Sequence, residues 1–247
     1  MERDNQPPVA TFFAASELHA DGGVDLGEDA AHHARVKRLS VGDIVALTDG
    51  MGARGRGTIS ALRKQNVECH VERVDRQPPA APLHLRAPIA DRDRMLWLAE
   101  KATEFGITTW QAVRFHRSMS VSPRGEGSAF VAKLRSRMVA ALEQSGGAWL
   151  PKLLPDANVE EVETSDPSTS IILDASGRPL LAVLGQISDR EPTVLFGPEG
   201  GIEETELRML EAKGWRRARL ASTTLRFETA GVAAIAVIRA AQLLTED

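Results

Sequence analysis

The stretch Phe196-Gly197-Pro198-Glu199-Gly200-Gly201 follows the apolar run Thr193-Val194-Leu195 and precedes IEETELRMLEAKG, a helical pattern. Three glycines and a proline between a strand and a helix leave bare backbone, on which a ligand can pack and bond to N–H and C=O groups. Open α/β sheets bind ligands at such carboxyl ends of strands. Nucleotide phosphate is the first ligand to test. No Lys-Ser or Lys-Thr follows the glycines, and their spacing is not that of a dinucleotide loop. Glu199, with Glu203, Glu204 and Glu206 behind it, would repel a polyphosphate. The acids at 203–206 also suit the positive end of the helix they open. A neutral or cationic ligand fits this loop better than an anionic one; a purely structural turn is the alternative.

A second stretch, RLASTTLRFETAGVAAIAV (219–237), reads as strand, polar loop and helix. Ser222, Thr223 and Thr224 precede Leu225-Arg226, and Glu228-Thr229-Ala230 opens the helix. Small residues lie nearly all round it (Ala230, Gly231, Ala233, Ala234, Ala236, Ala240), which predicts a helix deeply buried or at a subunit interface. Arg226 is the single charge that stands out; its plain alternative is a surface arginine.

The elements that must carry these loops form an α/β pattern. HLRAPIA (84–90), ITTWQAV (107–113), SIILDA (170–175), TVLF (193–196) and ARLAS (218–222) read as strands. Helices are expected from Arg92 to a stop at Gly106, over 129–145 with Val131, Leu134, Met138, Ala141 and Leu142 on one face, and over 203–213 and 228–244. Strands alternating with helices imply a largely parallel sheet. EEVETSDPSTS (160–170) reads as a loop. Before residue 76 the pattern differs. VGDIVALTDG, RGRGTIS and NVECHVERV are short β-rich runs with period-two alternation, and one helical piece, EDAAHHARVKRL, interrupts them. A small β-barrel fits. QPPAAP (77–82), with three prolines in six residues, is the candidate linker.

Composition bounds the class. The 247 residues, 43% apolar and 26% charged, suit a globular protein of one or two domains. No apolar run approaches the roughly 18 residues of a membrane span. MERDNQPPVA lacks a signal-peptide core, and the one cysteine, Cys69, makes no internal disulfide, so the cytoplasm is the expected location. Cys69 reads as a small strand residue. The net charge of −4 disfavours general stickiness to nucleic acid. Yet seven Lys/Arg face two acids between His32 and Lys64, which suits either a specific docking face or a set of solvated strand-edge charges. His32-His33 has no carboxylate or thiol at ligand spacing, so no metal site is expected.

FGPEGG followed by the LRFETA of residues 225–230 resembles the C-terminal signature of the RsmE family, S-adenosylmethionine (SAM)-dependent methyltransferases acting on uridine N3 of 16S ribosomal RNA. His32-His33 through Arg38-Leu39, VGD, TDG, Asp93-Arg94-Met95, Lys101-Ala102-Thr103-Glu104 with Gly106, Arg117-Ser118 and Glu143-Gln144-Ser145 extend the resemblance over most of the chain. It implies a PUA-like β-barrel RNA-binding domain at 1–76, a linker at 77–82, and an α/β SPOUT-type trefoil-knotted methyltransferase domain at 83–247. It also implies a homodimer, SAM as cofactor, and 16S ribosomal RNA, within the assembled small subunit, as partner; no membrane is involved. The chain departs from the family pattern at Thr11, before Phe12-Phe13; at Ala221, where a glycine is usual; and at His116, where an acid is frequent.

Carried onto this sequence, the resemblance implies a cofactor site of Leu173, Leu195, Phe196, Gly197, Pro198, Glu199, Gly200, Gly201, Leu220, Ser222 and Leu225. A sulfonium ligand without phosphate suits a glycine turn with an acid beside it. Arg226 would stabilise negative charge on the pyrimidine, and Glu199 would accept the N3 proton or orient the loop. Arg35, Lys37, Arg38, Arg54, Arg56, Arg92, Arg114 and Arg117 are the expected phosphate contacts. A ribose 2′-O methyltransferase of the same class, and a non-catalytic RNA-binding assembly protein, are the alternatives.

Overall fold

The computed structural model describes residues 6–120, 124–163, 166–187 and 191–244. The chain divides into two compact units, Met1–Pro79 with Val139–Leu150, and Ala80–Met138 with Pro151–Asp247.

The first unit contains β1 (Thr11–Phe13), β2 (Gly23–Asp25), α1 (Gly27–Val36), β3 (Ile44–Thr48), β4 (Ala53–Leu62) and β5 (Val67–Arg76). Its sheet runs β1-β3-β4-β5-β2. β1 is parallel to β3 and the other pairs are antiparallel. Among the described residues no ladder joins β1 to β2, so the expected barrel is an open half-barrel. Register shifts at Arg56/Gly57 and Ile59/Ala61 bend the long β4–β5 pair, as bulges do. Val67, Cys69 and Val71 point into a core with Phe12, Leu47 and Ile59. Burial pushes the Cys69 thiol up to about 12, so it is an inert strand residue as expected. The Phe13 N–H donates to Glu143 at 2.8 Å. Burial raises that carboxyl's pKa despite the bond.

The second unit is built on a parallel sheet. It contains β6 (His84–Pro88), α2 (Arg92–Glu104), β7 (Thr109–Arg114), α3 (Ser128–Ser145), β8 (Lys152–Leu153), β9 (Ala157–Asn158), β10 (Ser170–Pro179), α4 (Leu180–Leu184), β11 (Thr193–Phe196), α5 (Glu204–Ala212), β12 (Arg216–Arg219) and α6 (Phe227–Leu243). The last turns of α3 fall in the first unit. The strand order is β12-β10-β11-β6-β7-β8, with β9 also on β7, and every pairing is parallel. Asp91 starts α2 by accepting the Arg94 N–H at 3.0 Å. Ile172, Leu195 and Val113 pack with Leu207, Leu210 and Trp215 on one face of the sheet. On the other face Gly231 lets α6 come close: a Cβ there would lie 2.9 Å from both Leu98 and Phe196. Among the described residues no helix is long and apolar enough to cross a membrane.

Several expectations are corrected. β12 ends at Arg219 instead of running over 218–222, and β10 continues to Pro179. The sequence WRRAR has no apolar alternation because β12 is an edge strand whose Arg217 pairs with Glu204 and Glu211 and whose Arg219 is exposed. On α3, Phe130 is buried and Val131 is exposed. Of the two alternatives for α6, deep burial all round is not found, and the subunit interface remains. Phe227, Glu228, Gly231, Ala234, Ile235 and Ile238 are buried, while Val232, Ala233, Ala236 and Val237 stay half-exposed. Short 3₁₀ turns at Val159–Glu161 and Pro167–Thr169 occupy part of the segment read as a loop.

Candidate functional site

The carboxyl ends of β11 and β12, with the irregular middle of β10 between them, open into a cavity of about 200 Å³. Leu173, Phe196 and Ala218 pair in one row across these strands and form its apolar floor. Gly197, Pro198, Glu199, Gly201 and Ile202 make one wall. Arg219, Leu220, Ala221, Thr223, Thr224 and Leu225 make the opposite one, and Phe227 and Ala230 of α6 close the end. The two bends singled out in the sequence therefore face each other across one hollow. Asp174 and Ala175, within the irregular stretch of β10 between Leu173 and Arg178, complete the rim.

The first bend is braced from behind. The Gly201 N–H donates to the Pro198 carbonyl at 2.8 Å. Arg117 donates to the Gly200 carbonyl at 2.7 Å and sits 3.5 Å from Glu203. Glu206, 2% exposed, accepts the Glu203 N–H at 2.8 Å through one oxygen and the His116 N–H at 2.8 Å through the other. The acids behind the glycines thus cap α5 and anchor residue 116, as helix-start acids do. The His116 ring lies 3.3 Å from Glu203 and 3.2 Å from Glu160. Its pKa is raised, first by the Glu203 hydrogen bond and then by the Glu206 charge. Glu199 stands apart from this cluster. Its carboxylate lies 3.4 Å from Arg94, whose Nε is 3.8 Å from Glu228 on α6. Glu228 Oε2 is buried with no hydrogen-bond partner.

Of the expected cofactor residues, Leu173, Phe196, Gly197, Pro198, Glu199, Gly201, Leu220 and Leu225 line the cavity. Leu195 does not: strand alternation turns it to the opposite face, against Leu207 and Leu210. Gly200 faces away, where a Cβ would lie 3.1 Å from Arg117. Ser222 is exposed outside the lining. Arg226 is exposed at the N-cap of α6, and its side chain makes no ion pair or hydrogen bond among the described residues. Asp174, Arg219, Thr223 and Thr224 were missed. Asp174 lies within β10 and Arg219 ends β12, both in stretches that read only as strand, while Thr223 and Thr224 stand in the loop after β12. Ala221 stays out of the left-handed region, so the glycine usual there is not required by the backbone.

The expected phosphate contacts divide. Lys37 and Arg38 are exposed at the end of α1; Arg35 is exposed too and donates to the Lys64 carbonyl. Arg54 and Arg92 are half-buried. Arg56 is only 7% exposed and is held by the Gln6 carbonyl at 2.8 Å and Glu72 at 3.5 Å. That burial removes it from any RNA face. Arg114 pairs with Glu126 at 2.8 Å and holds that carboxyl below its usual range, and Arg117 braces the glycine bend.

Comparison with known proteins agrees with this architecture. A family model described as an RNA methyltransferase domain matches residues 76–239, and one described as an RNA methyltransferase PUA domain matches residues 26–72. The chain is 25% identical to the ribosomal RNA small subunit methyltransferase E of Rickettsia conorii, over 92% of this chain and 94% of that one. It is 26% identical to the protein of that name from Mycobacterium bovis, over 93% and 91%. The crystal structure of the Neisseria gonorrhoeae ribosomal RNA small subunit methyltransferase E, bound to S-adenosyl methionine, superposes with a TM-score of 0.82 at 26% identity, covering 94% of this chain and 97% of that one. A predicted RNA methyltransferase from Thermotoga maritima superposes with a TM-score of 0.75 at 27% identity, over 95% and 99%. The expected α/β methyltransferase domain with an N-terminal PUA-like domain is the fold found. Because the RNA methyltransferase model covers more than half of the residues, with the two facing bends inside its span, the chain belongs to the RNA methyltransferase family.

Proposed function

We propose that this chain is a SAM-dependent methyltransferase acting on N3 of a uridine in 16S ribosomal RNA, with the cavity at the ends of β11 and β12 and the middle of β10 as its cofactor site. One observation carries the reading: two bends with accessible backbone face each other over an apolar floor, and both signs of charge stand at the rim. Asp174 and Glu199 suit a sulfonium, Arg219 suits a carboxylate, and Leu173, Phe196 and Leu225 suit an adenine face. The cavity holds no Lys and no phosphate loop. The residues present therefore fit SAM, the ligand of the related Neisseria protein.

Bound there, SAM supplies a methyl group whose bond to sulfur breaks as its bond to N3 forms. The protein's tasks are alignment, exclusion of water and charge stabilisation. Gly197, Gly201, Leu220 and Leu225 offer backbone groups for adenine and ribose. Arg226, which has no partner among the described residues, stabilises negative charge spread over O2, N3 and O4 once the N3 proton leaves. Glu199, on the cavity wall, receives that proton or fixes the bend.

The remaining assignments belong to the same proposal. Residues 1–76 act as an RNA-binding PUA-like domain, 77–82 as a linker and 83–247 as the methyltransferase domain. Arg35, Lys37, Arg38 and Arg54 in the first part, and Arg92, Arg114 and Arg117 in the second, approach phosphates. The protein works in the cytoplasm on the assembled small subunit, as a homodimer. The half-exposed apolar side of α6 supports a dimer, with Leu243 64% and Leu244 82% exposed at its end.

Incubation with labelled SAM and small subunits lacking the modification, followed by nucleoside analysis, tests the activity. Label in N3-methyluridine is expected. Label in a 2′-O-methyl ribose would make the chain a ribose methyltransferase, and no transfer with no heat of SAM binding in calorimetry would leave it a non-catalytic RNA-binding protein.

A further inference from the structure

Arg94 sits where nothing in the assembly of the cavity accounts for it. It lies on the first turn of α2 and does not line the hollow. Its guanidinium nevertheless pairs with the first bend and with the start of α6 through two different nitrogens. One terminal nitrogen lies 3.4 Å from Glu199, in the middle of the first bend, and Nε lies 3.8 Å from Glu228, in the first turn of α6, directly after the second bend. The side chains of Arg94 and Glu199 are 37% and 31% exposed, whereas that of Glu228 is 11% exposed. Glu228 is thus the fixed end of the bridge and Glu199 the movable one. The buried Glu228 carboxylate has one oxygen without a hydrogen-bond partner, so Arg94 is the cation that offsets it. Leaving such a charge alone would be costly. Asp91 fixes the place of Arg94 by accepting its backbone N–H at 3.0 Å.

We propose that Arg94 is the positioning residue of the cofactor site, a two-pronged bridge that holds the Glu199 bend against the amino end of α6 and so sets the width of the hollow between them. This rests on the reading of that hollow as a SAM site. The bridge needs two donors at a fixed separation, which a guanidinium provides and an ammonium does not. Glu228 serves as an anchor and touches neither cofactor nor RNA.

Hydrogen exchange of the protein alone tests the bridge without any ligand. Arg94→Ala is expected to speed exchange about fivefold in both 197–203 and 227–231, the size expected of a partly exposed ion-pair bridge. Glu199→Gln should speed only the first segment and Glu228→Gln only the second. Arg94→Lys should restore one segment at most. Unchanged exchange in either segment of Arg94→Ala overturns the bridge. If Arg94→Ala does not fold, Arg94→Gln carries the same readout. Calorimetry then separates the bridge from the site. Wild-type protein that gives no heat with SAM removes the cofactor reading, while the exchange result still decides the bridge. With wild-type binding intact, Arg94→Ala should weaken SAM about fivefold and leave the KM for RNA unchanged. A raised RNA KM with unchanged SAM affinity would make Arg94 an RNA contact and overturn the proposal.

Discussion

Two glycine turns in this chain each carry an acid, and they use it in opposite ways. In Asp49-Gly50-Met51-Gly52 of the first unit, Asp49 is 3% exposed and folds back on its own turn, accepting the N–H groups of Met51 at 2.7 Å and Ala53 at 3.0 Å. The space over the glycines is full. A Cβ on Gly52 would lie 2.5 Å from the Trp149 ring, and one on Gly50 2.9 Å from Leu150. In Pro198-Glu199-Gly200-Gly201 of the second unit, Glu199 bonds, among the described residues, to nothing in its own turn and reaches Arg94 instead. Gly200 packs on Arg117, with a Cβ 3.1 Å from it, but the nearest atom to a Cβ on Gly201 is 3.9 Å away, and the bend faces a cavity. A turn that spends its acid on its own N–H groups and fills its glycine space is structural. One that sends its acid elsewhere and leaves its backbone open is built for a ligand. Sequence alone does not separate the two, because both read as acid and glycines after a strand.

The largest expected effect lies beside the open turn. Arg226→Ala should lower kcat about 100- to 1,000-fold, as loss of a donor to developing negative charge does, with SAM affinity unchanged. Methylation at the wild-type rate in steady-state kinetics would remove Arg226 from the mechanism. The glycines come next. Gly52 has φ +102 and a ring against it. Gly52→Ala should cost about 2–4 kcal/mol in urea unfolding, from left-handed strain and overpacking together. Gly201 has φ +75, and only the end of the Arg117 side chain, 3.9 Å away, stands near its Cβ position. Gly201→Ala should cost only about 1–2 kcal/mol of stability, the strain alone. It should weaken SAM about tenfold in calorimetry, roughly 1.4 kcal/mol. Equal stability losses, or unchanged SAM affinity in Gly201→Ala, would erase the distinction between the turns.

The smallest effect concerns the brace behind the open turn. Glu203 and Glu206 raise the pKa of His116. Its contribution to stability is therefore complete below the unfolded histidine value, about 6.5, and is lost as pH rises through the higher folded value. The difference in melting temperature between wild type and His116→Gln should shrink steadily from pH 6 to pH 9. A constant difference would mean that the histidine charge plays no part in the brace.

Much of this was legible in the sequence, and the failures have physical causes. α2, α3, α5 and α6 announce themselves by apolar spacing and by stops such as Gly106 and Gly146-Gly147. Both bends were found because strand, glycine or hydroxyl loop, and helix follow one another closely. β12 was misplaced because its Arg216-Arg217-Ala218-Arg219 carries charge at an exposed edge. Leu195 was misassigned because a four-residue strand buried on both faces shows no alternation. The burial of Arg56 depends on Glu72 and Gln6, which only the folded sheet brings to it. The bridge from Glu199 through Arg94 to Glu228 was unreadable for the same reason: its members lie on three separate elements.

A crystal structure with SAM is the most direct measurement. Density for the ligand is expected over Leu173, Phe196 and Ala218, between the backbone of residues 197–201 and that of residues 220–225. Density elsewhere, or side chains filling that hollow while SAM is bound, would contradict it.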